Sequence, residues 1–433
     1  MTTAQTAPRS LWAATAPPAV RCPPLSQEVT AEVCVIGGGF TGLSTALHLA
    51  EKGADTVLIE AEEAGWGASG RNGGQVIPGL KQDPDDLIRI FGESAGLRLI
   101  HFSSDAPRLL FDIVQRHNIE CDAFTRGWLQ PAHSQAGLKT IRRRAAAWRG
   151  HGADIIELDA AETARLVGSD HYLGAMLDLR GGSIQPLAFA RVMAKAAKGL
   201  GARIFGGTRA TSLSRSGERW RVETASGAVT ASKVVLATNG YTDGLVPSLR
   251  RSVVPVYSFQ VATEPLGDNL AKTILPEGHP ASDTRRLLWY FRKDRDGRLL
   301  MGGRGFQKDN LEAADTHALQ AALRELYPQI GDIRFDFHWG GRVAMTADHL
   351  PHLHRINEGL YAGLGFNGRG VAMGTAMGKL LAALATGAKE EEIALPVTGL
   401  RAIPFHGLHA PAVHILSAWY RWQDRRERAS GAA

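Results

Sequence analysis

Hydrophobic and polar positions follow their clearest pattern between Ala31 and Glu60, in the segment AEVCVIGGGFTGLSTALHLAEKGADTVLIE. A short apolar run is followed by a glycine-rich turn, by apolar residues at the i, i+3, i+4, i+7 spacing of one helix face, and by a second apolar run. A glycine stands where the helix needs a C-terminal cap. The pattern predicts a strand, helix and strand in a parallel sheet, with these helix and cap residues: Leu43, Ala46, Leu47, Ala50 and Gly53.

The glycines of this turn have the spacing of a dinucleotide-binding loop. Gly37, Gly39 and Gly42 fill the G-x-G-x-x-G positions, which serve a tight turn, close approach of a pyrophosphate, and close packing of helix on strand. Glu60 ends the second strand, where an acid can bind ribose hydroxyls. The alternative is a glycine-rich turn in an ordinary α/β protein. It would require the strand, the helix, the cap and the acid all to match the motif by chance. We therefore predict a nucleotide site that also includes the neighbouring residues Phe40, Thr41 and Ala61.

Further along the chain the pattern predicts more helices, a series of strands and a second glycine loop. The helices are expected at 85–117, 136–150 and 186–199, and the strands at 202–205, 210–213, 219–224, 233–237, 252–264 and 286–303. The segment 359–384 repeats the order of strand, glycine loop and helix. It places a second helix N-terminus where negative charge can be stabilised.

Two small-residue segments are further candidates for cofactor contacts. The segment 65–79, GWGASGRNGGQVIPG, is too rich in glycine for a regular element, so its backbone is expected to approach the cofactor closely. The strand at 233–237 stops abruptly at the turn ATNG, residues 237–240, as a chain does where it meets a nucleotide a second time.

The length of 433 residues exceeds the size at which one hydrophobic core stops growing, so we expect two interleaved domains. The fold class predicted is α/β, with a Rossmann-like nucleotide-binding domain and an antiparallel-sheet, α+β substrate domain. A Pro/Ala-rich N-terminal arm, residues 1–27, is expected to lie on the surface. The nucleotide-binding domain is assigned to 28–84, 155–250 and 336–433, and the substrate domain to 85–154 and 251–335.

Composition and charge favour an ordinary globular protein. Hydrophobic residues make up 44% and charged residues 21%, and no apolar stretch approaches the ~20 residues of a membrane span. Without a continuous apolar leader segment, a cytoplasmic location is expected. The net charge of +6 raises the possibility of a nucleic-acid or membrane surface, but the densest arginine clusters, 142–144 and 421–428, lie on helix-like segments and favour solvated helix faces.

The three cysteines are widely spaced and form no C-x-x-C pair, so neither a disulfide framework nor a cysteine zinc site is expected. Cys34 lies inside the first predicted strand and is most simply a small core residue.

Taken in order, six motifs resemble the D-amino-acid-oxidase-like flavoproteins, the family of the glycine and sarcosine oxidases, and most closely their gamma-glutamylputrescine oxidoreductase branch. The resemblance covers roughly residues 28–427. The motifs are VCVIGGGFTGLSTALHLA, GASGRNGGQ at 67–75, GGSIQPL at 181–187, LLWYFRKDRDGRLLMGGRG at 287–305, WGGRVAMTADHLPHL at 339–353 and GFNGRGVAMG at 365–374.

The resemblance implies FAD as the cofactor, with the first glycine loop on the pyrophosphate and Glu60 on the ribose. It implies that residues 69–74 pass beside the isoalloxazine, and that the helix after the last glycine loop points its N-terminus at the flavin N1–C2 carbonyl. The further cofactor-binding residues implied are Gly67, Ala68, Ser69, Arg71, Asn72, Gly73, Gly74, Ala210, Thr238, Asn239, Arg342, Gly365, Phe366, Asn367, Gly368, Gly370 and Val371.

Two departures from the family pattern bear on cofactor and substrate. Some sarcosine oxidases attach the flavin through a cysteine near the position of Arg342, so we expect FAD here to be non-covalent. Those oxidases also bind an α-carboxylate through an arginine and a lysine, at places that here hold apolar or small residues near Val76 and Ala372. This favours an amine whose carboxylate is distant or absent.

The family chemistry is oxidation of a C–N bond, in which a hydride leaves the carbon beside nitrogen for flavin N5 and the imine hydrolyses. The nitrogen must be neutral, and a dry aromatic pocket favours that form because desolvation disfavours an ammonium. Strand residues alternate faces, so Tyr290 and Arg292 are expected to face the substrate while Trp289 and Phe291 face the core. Trp339, which begins the motif leading back to the flavin, is the third catalytic candidate. The alternative is that Tyr290 merely packs, with its hydroxyl satisfied.

The predicted activity is thus FAD-dependent oxidation of a small-molecule amine, such as a γ-glutamyl polyamine or an N-substituted amino acid, to an imine or aldehyde and hydrogen peroxide. Arg71, Arg342 and Arg369 are candidates for assisting reaction with oxygen, or else structural ion-pair partners. One alternative is a dehydrogenase of a cyclic imino acid that passes electrons to a quinone or a partner protein. Another is a basic nucleotide-binding protein with structural FAD.

A histidine string, His349, His352 and His354, has an H-x-x-H-x-H spacing that raises the question of a zinc site. In the family this segment is a proline-containing turn before a strand, so no metal is expected.

Overall fold

The computed structural model describes residues 10–305 and 311–429. Its helices, in chain order, are α1 (Leu11–Thr15), α2 (Phe40–Glu51), α3 (Pro84–Phe91), α4 (Glu93–Arg116), α5 (Gln135–Arg149), α6 (Ala160–Val167), α7 (Pro186–Gly199), α8 (Pro247–Arg250), α9 (Asp268–Thr273), α10 (His317–Leu326), α11 (Gly370–Ala385) and α12 (His409–Ala429).

The strands, in the same order, are β1 (Glu28–Ile36), β2 (Thr56–Ile59), β3 (Gln75–Val76), β4 (Trp128–Pro131), β5 (Ile155–Leu158), β6 (Ala175–Asp178), β7 (Gly182–Ser183), β8 (Arg203–Phe205), β9 (Ser212–Ser216), β10 (Arg219–Glu223), β11 (Ala228–Leu236), β12 (Val254–Pro265), β13 (Ala281–Ser282), β14 (Tyr290–Lys293), β15 (Arg298–Arg304), β16 (Phe335–Met345), β17 (His352–Asn357), β18 (Leu360–Leu364) and β19 (Val397–Thr398).

One sheet carries the predicted strand, helix and strand unit. Its order is β19-β17-β18-β11-β1-β2-β8, with β10 and β9 added beside β11. Strands β18, β11, β1, β2 and β8 run parallel. Because β1 and β18 lie on either side of β11, the two helices that follow them, α2 and α11, start at the same edge of the sheet. The βαβ prediction is therefore confirmed, and it places both glycine loops at that edge.

The second sheet is largely antiparallel and has the order β16-β12-β15-β14-β13-β4-β6-β5. It shows that the segment 286–303, predicted as one strand, is a hairpin of β14 and β15. The predicted α/β fold with an antiparallel second domain is confirmed by the two sheets. A small third sheet pairs β3 with β7.

The sheet pairings differ from the predicted domain boundaries at three strands. β5 and β6 were assigned to the nucleotide-binding domain, yet β5 pairs with β6 and β6 pairs with β4 in the second sheet. β16 was also placed in the nucleotide-binding domain, but it pairs with β12. The reason is that β6 and β16 pair with β4 and β12, strands outside their predicted domain that the local pattern does not record, and β5 joins the sheet through β6.

The N-terminal arm also differs from its prediction. Rather than lying on the surface, its helix α1 buries Leu11 and Trp12 almost completely, against Leu187, Ala262, Leu300 and Trp339. Ser10 caps this helix by accepting a hydrogen bond from the Ala13 N–H at 3.1 Å. The arm is therefore packed into the interior at residues 10–12 and at Leu25, while the rest of residues 13–27 keeps contact with solvent.

The largest core lies between the parallel sheet and its helices, and it continues into α4 and α5 through residues such as Leu99, Leu110 and Ile141. A second core surrounds Phe291 and Tyr327 on one face of the antiparallel sheet. Cys34 is fully buried in strand β1, as expected, and Cys22, Cys34 and Cys121 are free thiols. Within the described ranges, no helix is both long enough and apolar enough to cross a bilayer.

Candidate cofactor and substrate site

The first glycine loop has the geometry that its sequence requires. Gly37 has φ +109°, and a Cβ added there would lie 2.8 Å from the Ala237 carbonyl oxygen. A Cβ on Gly42 would lie 1.8 Å from the Gly37 oxygen, so this position admits only glycine. A Cβ on Gly39 would meet the Ser69 hydroxyl at 2.9 Å. Each glycine thus permits a different close approach.

The N-terminus of α2 presents unmatched donors at this loop. The Phe40 N–H donates to the Ser69 hydroxyl at 2.9 Å. The N–H groups of Gly39, Thr41 and Gly42 have no acceptor in the described part of the chain. Free donors at the positive end of a helix dipole fit a diphosphate.

Glu60 lies beside the loop and is largely buried. Its Oε2 accepts from the Gly38 N–H at 2.5 Å, and its Oε1 accepts from the Glu62 N–H at 3.0 Å. Burial raises the pKa of this carboxyl, while the two N–H donors act in the opposite direction. Each oxygen keeps a second lone pair, which could accept from a ribose hydroxyl. Ala61 follows directly, and Ala210 lies shortly after Thr208, whose N–H donates to the Glu60 main-chain oxygen at 2.8 Å.

The second glycine-rich segment holds its shape through the side chain of Asn72. Gly67 leads into a 3₁₀ turn over Ala68–Gly70. The Asn72 amide donates to the carbonyls of Ala68 and Ser69 at 3.1 and 2.8 Å, and its Oδ1 accepts from the Gly74 N–H at 2.8 Å. Asn72 was predicted as a cofactor contact, but its side chain is committed to the loop itself. Its effect on a cofactor would therefore pass through the backbone of Gly73 and Gly74.

The guanidinium groups of Arg71 and Arg342 both lie near the aromatic ring of Tyr241. Arg71 donates from Nε to the Trp66 oxygen at 2.8 Å and stacks its guanidinium 4.2 Å from the Trp66 ring centre. Tyr241 lies 6.0 Å from the Arg71 guanidinium and 5.2 Å from that of Arg342. The two predicted cations are thus brought to one place, where the turn after Thr238 meets β16.

The last glycine loop is fastened by two asparagines. The Asn239 Oδ1 accepts from the Gly365 N–H at 2.9 Å. Asn367 is buried, accepts from the Thr346 N–H at 3.0 Å, and donates to the Gly365 oxygen at 2.5 Å. Both asparagines have positive φ, of 40° and 53°, which asparagine tolerates better than most residues. Their side chains shape the loop, and their predicted part in cofactor binding stays a prediction.

The helix after this loop presents a second set of unmatched donors. The N–H groups of Gly370 and Val371 find no acceptor within the described residues, and Phe366 and Gly368 lead into this helix end. Helix α11 packs tightly on α2, since a Cβ added at Gly378 would lie 2.5 Å from the Ser44 Cβ. Two positive helix ends therefore converge beside the loop 67–74, and this donor set fits the anionic parts of FAD.

The catalytic candidates on β14 lie against Gly73. A Cβ on Gly73 would lie 2.8 Å from the Tyr290 ring, and the Tyr290 hydroxyl lies 2.8 Å from the Ser258 hydroxyl. Burial raises the pKa of Tyr290, so it remains a neutral phenol at physiological pH. Phe291 faces the opposite side, in the second core, which confirms the predicted alternation. The role of Tyr290 at the substrate stays a prediction.

Arg292 was expected to face the substrate, but its side chain is 5% exposed and braces the loop. Its Nη1 donates to the Ile184 oxygen at 2.7 Å and lies 3.5 Å from the Gly73 oxygen. Burial lowers its pKa to about 10, and the cation nevertheless stays charged at neutral pH. Its charge is held by main-chain carbonyls and by the face of Trp12, whose ring centre is 5.4 Å away.

Trp339 and two residues missed by the sequence analysis also brace this loop. Trp339 is fully buried, and its indole N–H donates to the Arg71 oxygen at 3.0 Å. Gln260 donates to the same oxygen at 2.5 Å. Trp12 donates to the Asn72 oxygen at 2.8 Å. The sequence offered one signal for Trp12, a serine cap before an apolar pair, but nothing in the sequence identified its partner.

A group of cations lies at the same end of the molecule, of which the sequence analysis named Arg369 but missed Lys81 and Arg304. Lys81 follows the second glycine-rich segment, Arg304 ends β15, and Arg369 precedes α11. Burial, followed by repulsion from Arg369, Arg144 and Arg304, lowers the pKa of Lys81 to about 8, although part of its side chain keeps solvent access. Burial lowers the pKa of Arg369 to about 9, and its guanidinium donates to the Pro78 oxygen. Neither Lys81 nor Arg304 forms an ion pair with any residue in the described ranges.

The positions that hold a carboxylate clamp in some relatives carry no charge here. Val76 and Ala372 are both fully buried. Neither side chain can bind a carboxylate.

Two histidines of the H-x-x-H-x-H string, His352 and His354, meet edge to face with ring centres 5.2 Å apart, and each has a polar partner of its own. His352 lies 3.0 Å from the Asp348 carboxylate, and the His354 Nδ1 lies 3.3 Å from the Thr398 oxygen. A different trio, His133, Asp424 and Glu427, has ligand atoms within 4.8 Å of one another. Arg286 already pairs with Asp424 at 3.1 Å and with Glu427 at 2.6 Å, so these carboxylates belong to an ion-pair network.

Comparison with known proteins agrees with this geometry. A family model described as FAD dependent oxidoreductase matches residues 32–384. Gamma-glutamylputrescine oxidoreductase of Escherichia coli K12 is 34% identical over 93% of this chain and 94% of its own. Glycine oxidase from Geobacillus kaustophilus has a TM-score of 0.71 at 20% identity, covering 83% of this chain and 95% of its own. L-proline dehydrogenase from P. horikoshii has a TM-score of 0.69 at 20% identity, covering 84% and 96%. The two solved structures show the fold.

Proposed function

Since this chain belongs to the family of FAD-dependent oxidoreductases, we propose that it oxidises a C–N bond in an amine whose carboxylate lies far from the reacting carbon. A γ-glutamyl polyamine has this character. The products would be an imine or aldehyde and, with oxygen as acceptor, hydrogen peroxide. The similarity to a gamma-glutamylputrescine oxidoreductase supports this substrate class.

The observation that carries the proposal is the pair of unpartnered cations Lys81 and Arg304. Neither forms an ion pair with a described residue, and burial lowers the pKa of both. Lys81 is exposed, so solvent screens part of its repulsion with Arg304, and an anionic ligand would relieve the remainder. Val76 and Ala372 leave no cation for an α-carboxylate at the positions used by some relatives. A carboxylate therefore suits the cation cluster, at a distance from the reacting amine.

The chain would hold FAD by the residues described above. The donors of α2 and Glu60 suit the diphosphate and the ribose, and the donors of α11 suit the flavin ring. Bound FAD would accept the hydride from the carbon beside the nitrogen.

The protein's own contribution at the substrate is desolvation. The Tyr290 ring and its neutral hydroxyl offer an aromatic wall without a competing charge. A neutral amine is favoured in such surroundings because the ammonium loses its hydration. Arg71 and Arg342 supply positive charge beside the glycine loop, which would assist electron transfer to oxygen.

The test is anaerobic reduction of the purified holoenzyme, followed at the flavin absorbance near ~450 nm. The panel would hold γ-glutamylputrescine, free putrescine, sarcosine, glycine and L-proline. Fast bleaching by the γ-glutamyl amine alone supports the substrate class, and fast bleaching by sarcosine or glycine alone overturns it. Admission of air then tests the acceptor. Rapid recovery of the absorbance supports an oxidase, whereas persistent bleaching indicates a dehydrogenase that uses a quinone or partner protein.

A further inference from the structure

The N-terminal arm reaches the glycine-rich loop through Trp12. Its side chain is 1% exposed and meets Trp339 edge to face, with ring centres 5.8 Å apart. The Arg292 guanidinium also lies over the Trp12 ring, 5.4 Å from its centre. Trp12 thus fills the space directly behind the loop 67–74.

The arm is fastened by specific hydrogen bonds as well as by packing. The Gln185 amide donates to the Trp12 main-chain oxygen at 3.0 Å and to the Thr15 hydroxyl at 3.2 Å. Arg191 donates to the Pro17 oxygen at 2.7 Å. These contacts fix the position of Trp12 relative to the loop 67–74.

Trp12 and its neighbours hold two successive carbonyls of the loop. The Asn72 oxygen accepts from the Trp12 indole at 2.8 Å, and the Arg71 oxygen accepts from Trp339 and Gln260. The peptide bonds are trans throughout the described residues, and in a trans peptide the C=O and the following N–H point in opposite directions. The Gly73 N–H is therefore turned away from Trp12. It has no acceptor among the described residues.

We propose that Trp12 is a positioning residue of the redox site. By holding the Asn72 carbonyl, it orients the Asn72–Gly73 peptide so that the Gly73 N–H is offered as a donor to the bound flavin. A donor held in place stabilises the extra negative charge of the reduced ring and raises its reduction potential. The N-terminal segment is then a functional part of the flavin site. This inference rests on FAD binding at the loop and is independent of which amine is oxidised.

The test compares Trp12→Phe with Trp220→Phe in the holoenzyme. Phenylalanine keeps most of the buried ring but removes the indole donor. Trp220, on strand β10, is a matched control because it is also buried and also donates from its indole to a main-chain oxygen, that of Glu358, at 3.1 Å. The readouts are the midpoint potential of the flavin, the visible spectrum and the melting temperature. None of them requires a substrate, so failure of the proposed substrate class leaves the test intact.

We expect Trp12→Phe to shift the midpoint potential to a more negative value and to alter the visible spectrum. Trp220→Phe should lower only the melting temperature. If Trp12→Phe matches Trp220→Phe in all readouts, Trp12 is a packing residue and the proposal is overturned.

If Trp12→Phe does not fold, Gln185→Ser serves in its place. Serine can still cap α7, where Gln185 accepts from the Ala188 N–H at 2.7 Å, but it is too short to reach Trp12. A negative shift of the potential supports the positioning role, and an unchanged potential with bound flavin contradicts it.

Discussion

The Oδ1 atom of Asn239 accepts a hydrogen bond from the Gly365 N–H at 2.9 Å. Asn239 follows strand β11 and Gly365 follows strand β18, which is the neighbouring parallel strand. The bond therefore joins two loops at the carboxyl edge of the sheet, where a nucleotide is expected. It makes the shape of the last glycine loop depend on a turn that lies 126 residues earlier.

Replacing Asn239 with glycine should loosen this loop without backbone strain, because Asn239 has φ 40°. We expect a loss of about 1 kcal/mol in the free energy of unfolding and a weaker FAD affinity. The affinity is measured by fluorescence titration of the apoprotein. Asn239→Asp keeps the acceptor and should retain FAD, so equal affinities of the two variants would argue against this role.

Gly42→Ala should prevent FAD retention. Its Cβ would lie 1.8 Å from the Gly37 oxygen, so the loop must open and the α2 donors move. We expect a colourless protein that is destabilised by about 3 kcal/mol. Gly199→Ala is the matched control, since its Cβ meets nothing within 4 Å, and it should change stability by less than about 1 kcal/mol. A yellow, fully loaded Gly42→Ala protein would contradict the assignment.

Lys81 predicts a pH dependence of substrate binding. Its pKa of about 8 means that its cation is present below that pH and is lost as the pH rises through it. If it binds a distal carboxylate, KM for a γ-glutamyl amine should rise about tenfold between about pH 7 and pH 9. Lys81→Met should abolish this rise while Lys81→Arg keeps KM low. An amine without a carboxylate separates this effect from titration of the substrate nitrogen, and the same rise with that amine would refute the role of Lys81.

The same pKa has a consequence for stability. The lowered pKa shows that the folded state binds the Lys81 proton less tightly than the unfolded chain, whose value is 10.5. The charged side chain therefore costs stability below about pH 8, and the cost disappears as the pH rises toward 10.5. Lys81→Met should raise the melting temperature of the apoprotein at about pH 7 but not at about pH 10.5. A lower melting temperature at pH 7 would contradict this reasoning.

Tyr290→Phe should leave FAD bound and reduce kcat. The substitution removes the hydroxyl that bonds to Ser258 but keeps the ring against Gly73. We expect a loss in kcat of up to about tenfold, measured by single-turnover flavin reduction. Tyr327→Phe is the control, because its hydroxyl donates to the Val167 oxygen in the second core, away from the glycine loops. Equal kinetics for both variants and the wild type would reduce Tyr290 to a packing residue.

Local elements of this fold could be predicted well because each is encoded in neighbouring residues. The turn at Gly37 and the helix after it were predictable because φ above zero and close packing admit few residues other than glycine. The helix over Pro186–Gly199 was predicted with its bounds, since proline suits the first turn and the apolar residues repeat at helical spacing.

For the candidate site, too, the features encoded in neighbouring residues were predictable and the contacts between distant segments were not. The sequence identified the glycine loops, but it predicted Asn72 and Asn367 as cofactor contacts when their side chains hold the loops themselves. Hydrogen bonds between side chain and loop depend on backbone direction, which composition does not specify. Arg292 followed the predicted alternation of faces, yet its partners are carbonyls from distant segments.

By itself the sequence determined the βαβ unit, because this depends on residue types at short, fixed spacing, and its six motifs carried the resemblance that implied the family and FAD. Only the tertiary structure decided that Trp12 packs against the loop 67–74 and that Ile155–Leu158 joins the second sheet. It alone also decided that Lys81 and Arg304 lie near each other at one end of the molecule. The physical reason is that burial and strand pairing are settled between segments far apart in sequence, where the free energy of each contact depends on a partner that the local pattern does not contain.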